Sequence, residues 1–212
     1  PSDVGFHNES GMGTLTLADG GRVSPAFATT LHGGLHVKSG GSYSHYSCAP
    51  LDLTIPGDCT IDAGGAIDVS GRGYPRDTGP GRSTIDKTGG SHAGRGSGAQ
   101  DYTTGGNGPC YGSFTAPVTL GSGGRFGNST GGGAVKVTVE GTLAVNGAIN
   151  ANGAISDHYS GAGGSVWVIA DKLTGAGAIT ANGGEITVGE RNGAGGGGRI
   201  ALYLSNAGND FS

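Results

Sequence analysis

Charge is scarce in this 212-residue chain: Asp, Glu, Lys and Arg supply 13% of it and leave a formal net charge of −4. Such a surface offers a phosphate backbone nothing basic to lie on, which sets nucleic acid aside as a partner. No apolar run approaches the roughly 20 residues of a bilayer-spanning helix, so no membrane span is expected. The amino-terminal stretch carries neither an initiator Met nor a signal peptide, and the chain is expected to be a piece of something longer. Helical periodicity is missing, with no helix-length stretch of i, i+3, i+4 apolar spacing. The three cysteines, Cys48, Cys59 and Cys110, are too scattered for a zinc site, which wants close Cys-x-x-Cys pairs. Cys48 and Cys59 could meet on adjacent strands as a disulfide, or each could be a small buried residue.

What the chain has in excess is glycine, at 49 residues, about three times the usual share. No Gly-X-Y triplet runs through it, which excludes collagen. Regularly spaced Val, Ile and Leu argue against disorder. These apolar residues recur. Val135-Lys136-Val137-Thr138-Val139 opens a unit that closes at Ala148-Ile149-Asn150-Ala151, and Val166-Trp167-Val168-Ile169 opens the next, closing at Ala178-Ile179-Thr180-Ala181. Ile179 follows Ile149 by 30 residues, and Arg199-Ile200-Ala201-Leu202-Tyr203-Leu204 opens a third unit. Backwards, Ile67 precedes Ile149 by 82, Val37 precedes Ile61 by 24, and Leu17 precedes Val37 by 20. Within each run the apolar residues alternate, which places them on one face of a strand. Corners fall at Gly20-Gly21, Gly40-Gly41, Gly64-Gly65, Asn146-Gly147 and Ala176-Gly177, where glycine or Asn reaches φ > 0 at least cost.

A unit of this size cannot bury its own apolar face, so units must stack. The expected fold is all-β: a right-handed parallel β-helix, or solenoid, with a long glycine-rich insertion. A single domain over 1–212 divides into short amino-terminal rungs (1–50), one rung (51–71), the insertion (72–132) and carboxy-terminal rungs (133–204). Val135, Val166 and Ile200 are expected in one interior column, and Ile67, Ile149 and Ile179 in another. The insertion is expected to be ordered but poor in regular structure, docked through Tyr74, Tyr111, Phe114, Val118 and Leu120.

Several motifs occur in a set order: Cys110-Tyr111-Gly112-Ser113, Gly121-Ser122-Gly123-Gly124, Gly163-Gly164-Ser165-Val166-Trp167-Val168, Ala178-Ile179-Thr180-Ala181-Asn182-Gly183 and Gly195-Gly196-Gly197-Gly198-Arg199-Ile200-Ala201-Leu202-Tyr203. Together they resemble the glycine-rich β-helical repeat region of very large secreted or surface-exposed proteins of bacteria and some eukaryotes. The resemblance covers roughly 51–203. It implies a right-handed β-helix outside the cell, and it carries no catalytic residues to transfer.

Chemistry in the sequence is thin. Asp52, Asp62 and Asp68 face outward, as in polysaccharide-cleaving β-helices, but Asp68 shares its ladder with Asn150 and Thr180, and an acid–base pair needs a second carboxylate within reach. His92 with Asp86 and Asp101, or His158 with Asp157, could hold a metal such as a loop-bound calcium, although no ligand spacing is diagnostic and the Gly-Gly-x-Gly-x-Asp nonapeptide is missing. No cofactor is otherwise implied. Tyr74, Tyr102, Tyr111 and Tyr159, with Asp86, Asp101, His92 and His158, lie in insertions that leave one side of the stack. That loop face is a candidate binding surface for sugar, although the tyrosines, with Tyr43 and Tyr46, could equally cap the open rungs or pin the insertion to the stack. Asn8-Glu9-Ser10 and Asn128-Ser129-Thr130 are acceptor patterns for N-glycans at Asn8 and Asn128.

The reading that follows is non-enzymatic: an extracellular or cell-surface structural, filament-forming or adhesive protein, a rigid rod with a loop contact surface. Its partners are other copies, neighbouring domains of the parent chain, or glycans. The alternative is a carbohydrate-binding or polysaccharide-cleaving module, a lyase or hydrolase. Exposed aromatics beside carboxylates and a cleft would favour sugar; open apolar ends would favour assembly.

Overall fold

A computed structural model describes residues 13–25, 28–46, 48–84, 87–98, 108–125, 127, 129–187 and 193–206. Thirteen strands form among them. The first eight are β1 (Leu15–Leu17), β2 (Arg22–Val23), β3 (Thr29–Thr30), β4 (Leu35–Val37), β5 (Ser42–Tyr43), β6 (Leu51–Ile55), β7 (Cys59–Ile61) and β8 (Ala66–Asp68). After the insertion come β9 (Ala134–Val145), β10 (Ala148–Asn150), β11 (Ser165–Thr174), β12 (Ala178–Thr180) and β13 (Arg199–Leu204). They make two parallel sheets. Sheet A has eight strands in the order β1-β4-β7-β9-β11-β13, with β6 also on β9 and β3 on β6; sheet B has five, in the order β12-β10-β8-β5-β2.

The repeat offsets reappear as strand register. Leu17 faces Val37 and Val37 faces Ile61. Leu51, Val135, Val166 and Ile200 line up across sheet A, while Tyr43, Ile67, Ile149 and Ile179 line up across sheet B. Alternation sends both sets inward, and they merge into one apolar core. The columns are not interior throughout: Val166 is fully buried, whereas Ile200, its neighbour on the last strand, is 44% exposed. Three of the expected corners turn at glycines with positive φ, at Gly20 (72°), Gly40 (76°) and Gly64 (84°).

The expected right-handed parallel β-helix needs correction. The chain is all-β, but its described strands form two separate parallel sheets, and no closed solenoid is formed. The reason lies in the glycine-rich segments that would have closed it. Consecutive N–H groups there serve different neighbours: Ala162 donates to Ser122 O, Gly163 to Gly196 O and Gly164 to Ala151 O. Where two segments do run together, the bonds step by three residues, as from Ser160 to Gly193 and then Gly163 to Gly196. A threefold repeat without internal bonds is that of polyproline II; a strand ladder alternates with period two. The third side is therefore a bundle of extended backbones.

Those backbones are in contact. A Cβ on Gly164 would collide with the Gly133 carbonyl, one on Gly131 with the Gly121 carbonyl, and one on Gly195 with the Gly161 carbonyl. Glycine is needed here for close approach. The described part of the insertion belongs to this bundle, and an antiparallel bridge pairs Thr88 with Gly98. It is docked through three of the five expected anchors: Leu120 is buried and Tyr74 and Tyr111 are half-buried, while the other two, Phe114 and Val118, are 78% and 46% exposed. Touching backbones leave no hollows for large apolar side chains. The buried side chains are instead small or polar, among them Ser91, His92, Ser122 and Ser129.

This packing predicts a contrast between two glycines. Gly164→Ala should lower stability by about 3 kcal/mol, the upper range for overpacking, whereas Gly197→Ala, where an added Cβ meets nothing within 4 Å, should leave the melting temperature nearly unchanged. Thermal melts of the two variants would check it, and equal melting points would refute backbone contact at Gly164.

Candidate functional site

Of the loop residues expected to share one binding surface, the structure brings together His92 and Tyr111, as a buried staple. His92 is fully buried. Its Nδ1 lies 2.8 Å from the Gly163 carbonyl, which can only accept, so Nδ1 carries the proton. Nε2 then accepts from the Thr119 hydroxyl at 2.8 Å. The Tyr111 ring sits 4.8 Å away, centroid to centroid. Tyr111 donates its hydroxyl to the Leu120 carbonyl at 2.5 Å and accepts from Ser122 Oγ at 2.7 Å; Ser122 in turn accepts from the Gly81 N–H. Arg199, at the start of β13, donates from Nη2 to the Tyr111 carbonyl at 2.9 Å. Burial holds the His92 pKa below its ordinary value against the raising effect of the Gly163 carbonyl, and the Arg199 charge adds to the lowering. Burial likewise pushes Tyr111 up to about 12. Both side chains are neutral joints between the insertion, the glycine bundle and sheet A.

Of the other expected residues that are described, only Tyr74 approaches them, near enough to reinforce the raised pKa of Tyr111. Tyr74 takes part through its backbone, donating to Gly121 O and accepting from Gly131. His158 lies 4.0 Å from Asp157 with both exposed, a pair worth little, and the neighbouring Tyr159 is buried. Asp86, Asp101, Tyr102, Asn8 and Asn128 lie outside the described residues. Among the described residues no group of three or more His, Cys, Asp or Glu could hold a metal ion, so the loop-bound calcium finds no ligand set there. Of the two alternatives for Cys48 and Cys59, the disulfide is not formed: all three cysteines are free, with Cys59 buried and Cys48 exposed. Cys59 points into the core, where burial raises its thiol to about 12, while Cys48 donates to the Gly73 carbonyl.

A different surface carries exposed chemistry. Alternation turns Asp52, Lys136 and Trp167 to the outer face of sheet A, in one row across β6, β9 and β11. Lys136 Nζ is 3.4 Å from Asp52 Oδ2 and 5.4 Å from the centre of the Trp167 ring. The next row is Thr54, Thr138, Ile169 and Tyr203. Tyr203 packs edge-on to Trp167, with centroids 6.3 Å apart and planes at 63°. Its hydroxyl donates to the Thr115 carbonyl at 2.7 Å, so a turn of the insertion pins the ring while leaving it 46% exposed.

Beside Tyr203 an open groove of about 490 Å³ crosses β9, β11 and β13. Thr138, Ile169 and Tyr203 form one lip, and Glu140, Asp171 and Ser205 the other, over Val139 and Ala170. Ser205 Oγ donates to Asp171 Oδ1 at 2.8 Å. Sequence reasoning named Asp52 as outward but passed over Trp167 and Tyr203. The offset of 34 residues between Ile169 and Tyr203, read together with alternation, was the available signal.

No family model, curated protein or solved structure matches the chain, and the resemblance to secreted glycine-rich repeat regions rests on the quoted motifs alone. Among the described residues, no helix is long and apolar enough to cross a membrane.

The staple gives a pH prediction. The folded pKa of His92 is depressed below 6.5, so between the folded value and 6.5 the unfolded chain binds more protons, and stability rises with pH. The contribution is complete above about 6.5 and is lost as pH falls toward the folded value. Chemical denaturation of wild type against His92→Gln from neutral to mildly acidic pH should show a steeper acid loss in the wild type. Parallel curves would place the titration elsewhere.

Proposed function

We propose that this chain is a non-enzymatic, extracellular structural or adhesive segment that lengthens by strand addition at the β13 edge. The observation that carries this is the open end of the apolar columns. Ile200 and Leu202 are 44% and 42% exposed, although they stand in register with fully buried Val166 and Val168. Among the described residues β13 pairs on one side, with β11, which leaves a row of backbone donors and acceptors beside exposed apolar side chains. At the opposite edge of sheet A, β1 pairs with β4. Every strand pairing between named strands is parallel, so a second copy placed head to tail would continue the same ladder. Contacts of that heterologous kind produce open filaments wherever the rotation between copies does not close a ring. The extracellular setting follows from the resemblance.

The three outward carboxylates named from the sequence, Asp52, Asp62 and Asp68, favour the non-enzymatic side of this reading, because each already has a polar partner. Asp52 faces Lys136, and Asp62 lies 2.8 Å from His36 Nε2. Asp68 accepts from the Ser70 N–H at 2.8 Å, in a ladder where Thr180 donates to Asn150 Oδ1.

Analytical ultracentrifugation across a wide concentration range tests the proposal. Wild type should grow in mass with concentration, and Leu202→Lys should stay monomeric with an unchanged melting temperature, since the added charge on a half-exposed side chain can reach water. A wild-type chain that remains monomeric throughout would overturn strand addition.

A further inference from the structure

The groove beside Tyr203 is independent of the open edge, because it is present in a single chain. We propose that it binds a polysaccharide built of neutral or amino sugars. Three features carry the assignment. The first is shape: the groove crosses three neighbouring strands, so its floor runs along the stacking direction for about 10 Å at the usual strand spacing. A linear polymer can lie in it with successive units over successive strands, meeting Thr138 and Glu140, then Ile169 and Asp171, then Tyr203 and Ser205. Its volume of about 490 Å³ is within the range of small-molecule sites.

The second feature is the mixture of surfaces. A pyranose ring has a C–H face that packs on an aromatic side chain and a rim of hydroxyls that need partners. Tyr203 supplies the aromatic face, and its bond to the Thr115 carbonyl fixes the ring before any ligand arrives, which reduces the ordering cost of binding. Glu140 and Asp171, on the opposite lip, supply acceptors for hydroxyls. Asp171 takes one bond from Ser205, and a carboxylate has room for more.

The third feature is charge. The described lining holds two carboxylates and no cation. Lys136, on the adjoining row, is engaged by Asp52 and the Trp167 ring. Uronates and sulfated sugars would meet uncompensated repulsion, whereas neutral hexoses and hexosamines would not.

The single tryptophan of the chain is the neighbour of Tyr203, so its emission reports on the site. The full chain, kept dilute enough to be monomeric, is titrated separately with cellohexaose, N-acetylated chitohexaose, fully deacetylated chitohexaose, hexagalacturonate and pentalysine. We expect a saturable change in Trp167 emission with at least one of the first three and none with the galacturonate. Tyr203→Ala should weaken that binding tenfold or more at a temperature where the variant is still folded, and Glu140→Gln severalfold with the melting temperature at the wild-type value. Silence toward all three neutral or amino oligosaccharides overturns the proposal, as do equal affinity for hexagalacturonate and binding indifferent to Tyr203→Ala. A response to pentalysine alone would make the groove a site for basic peptides and would equally overturn it.

Discussion

Two polypeptide backbones can touch only where neither carries a side chain at the point of contact, and one whole side of this molecule depends on that constraint. The two sheets are ordinary in construction, with β-branched residues inward and polar residues outward. Their connections cannot be. Segments 71–74, 121–124, 131–133, 161–164 and 193–198 meet so closely that a Cβ on most of their glycines would strike a neighbouring carbonyl. With no side chains to bury, these segments are held by N–H···O bonds to as many as three different neighbours. Each such bond contributes about 1 kcal/mol net. The arrangement is cooperative for a geometric reason: displacing one segment removes partners from several others at once.

The same constraint explains the kind of side chain that is buried around the bundle. Most apolar burial lies between the sheets, where Tyr43, Leu53, Ile61, Ile67 and Leu143 are fully enclosed. Against the glycine segments the buried side chains are mostly hydroxyls, with one imidazole and a few apolar groups such as Leu120 and Ala162. Ser165 donates to the Thr119 carbonyl at 2.6 Å, Ser129 to the Gly124 carbonyl at 2.9 Å, and His92 spans from Gly163 to Thr119. A buried polar group left without its partner costs about 1–3 kcal/mol. These side chains therefore specify position more than they add stability. They join the insertion to one register of the sheets, and through Arg199 to the last strand.

The columns could be read from the sequence because alternation along a strand is a covalent property, and constant offsets between similar runs can only mean stacking. Leu17, Val37 and Ile61 in sheet A, like Ile67, Ile149 and Ile179 in sheet B, stand where those offsets put them. That the two sheets would not close into a solenoid was not legible. It depends on how glycine segments bond to an insertion far away in sequence, and glycine leaves no side-chain period to read. Phe114 and Val118 were misassigned for a related reason: their apolar character was visible, but the lack of a hollow to receive them was not. His92 was read as a binding or metal-ligating candidate, or else a solvent-exposed loop residue, and neither composition nor spacing showed that it would be a buried joint. The outer-face aromatics were the reverse case. Trp167 and Tyr203 look like ordinary solvent-facing strand residues until the register places Ile169 opposite Tyr203 and brings the two rings together.

The groove and the open edge are compatible because they use different directions of the same parallel stack. Strand addition at β13 would use the backbone edge and the inward columns ending at Ile200 and Leu202, whereas the groove lies across the strands and is walled by Tyr203, Glu140 and Asp171. A strand laid on β13 in register would not fill the groove; it would continue the floor beyond Leu204 and Ser205. In a head-to-tail array each added copy would bring its own groove, so the sugar contacts would recur once per copy. The gain would come from effective concentration, since a polymer held at one position meets the next site without a second diffusional encounter. Weak contacts per sugar, which an open groove with one exposed aromatic would give, become adequate when both ligand and protein are repetitive. Assembly would thus set the avidity of the surface, while Tyr203 and the two carboxylates would set its selectivity.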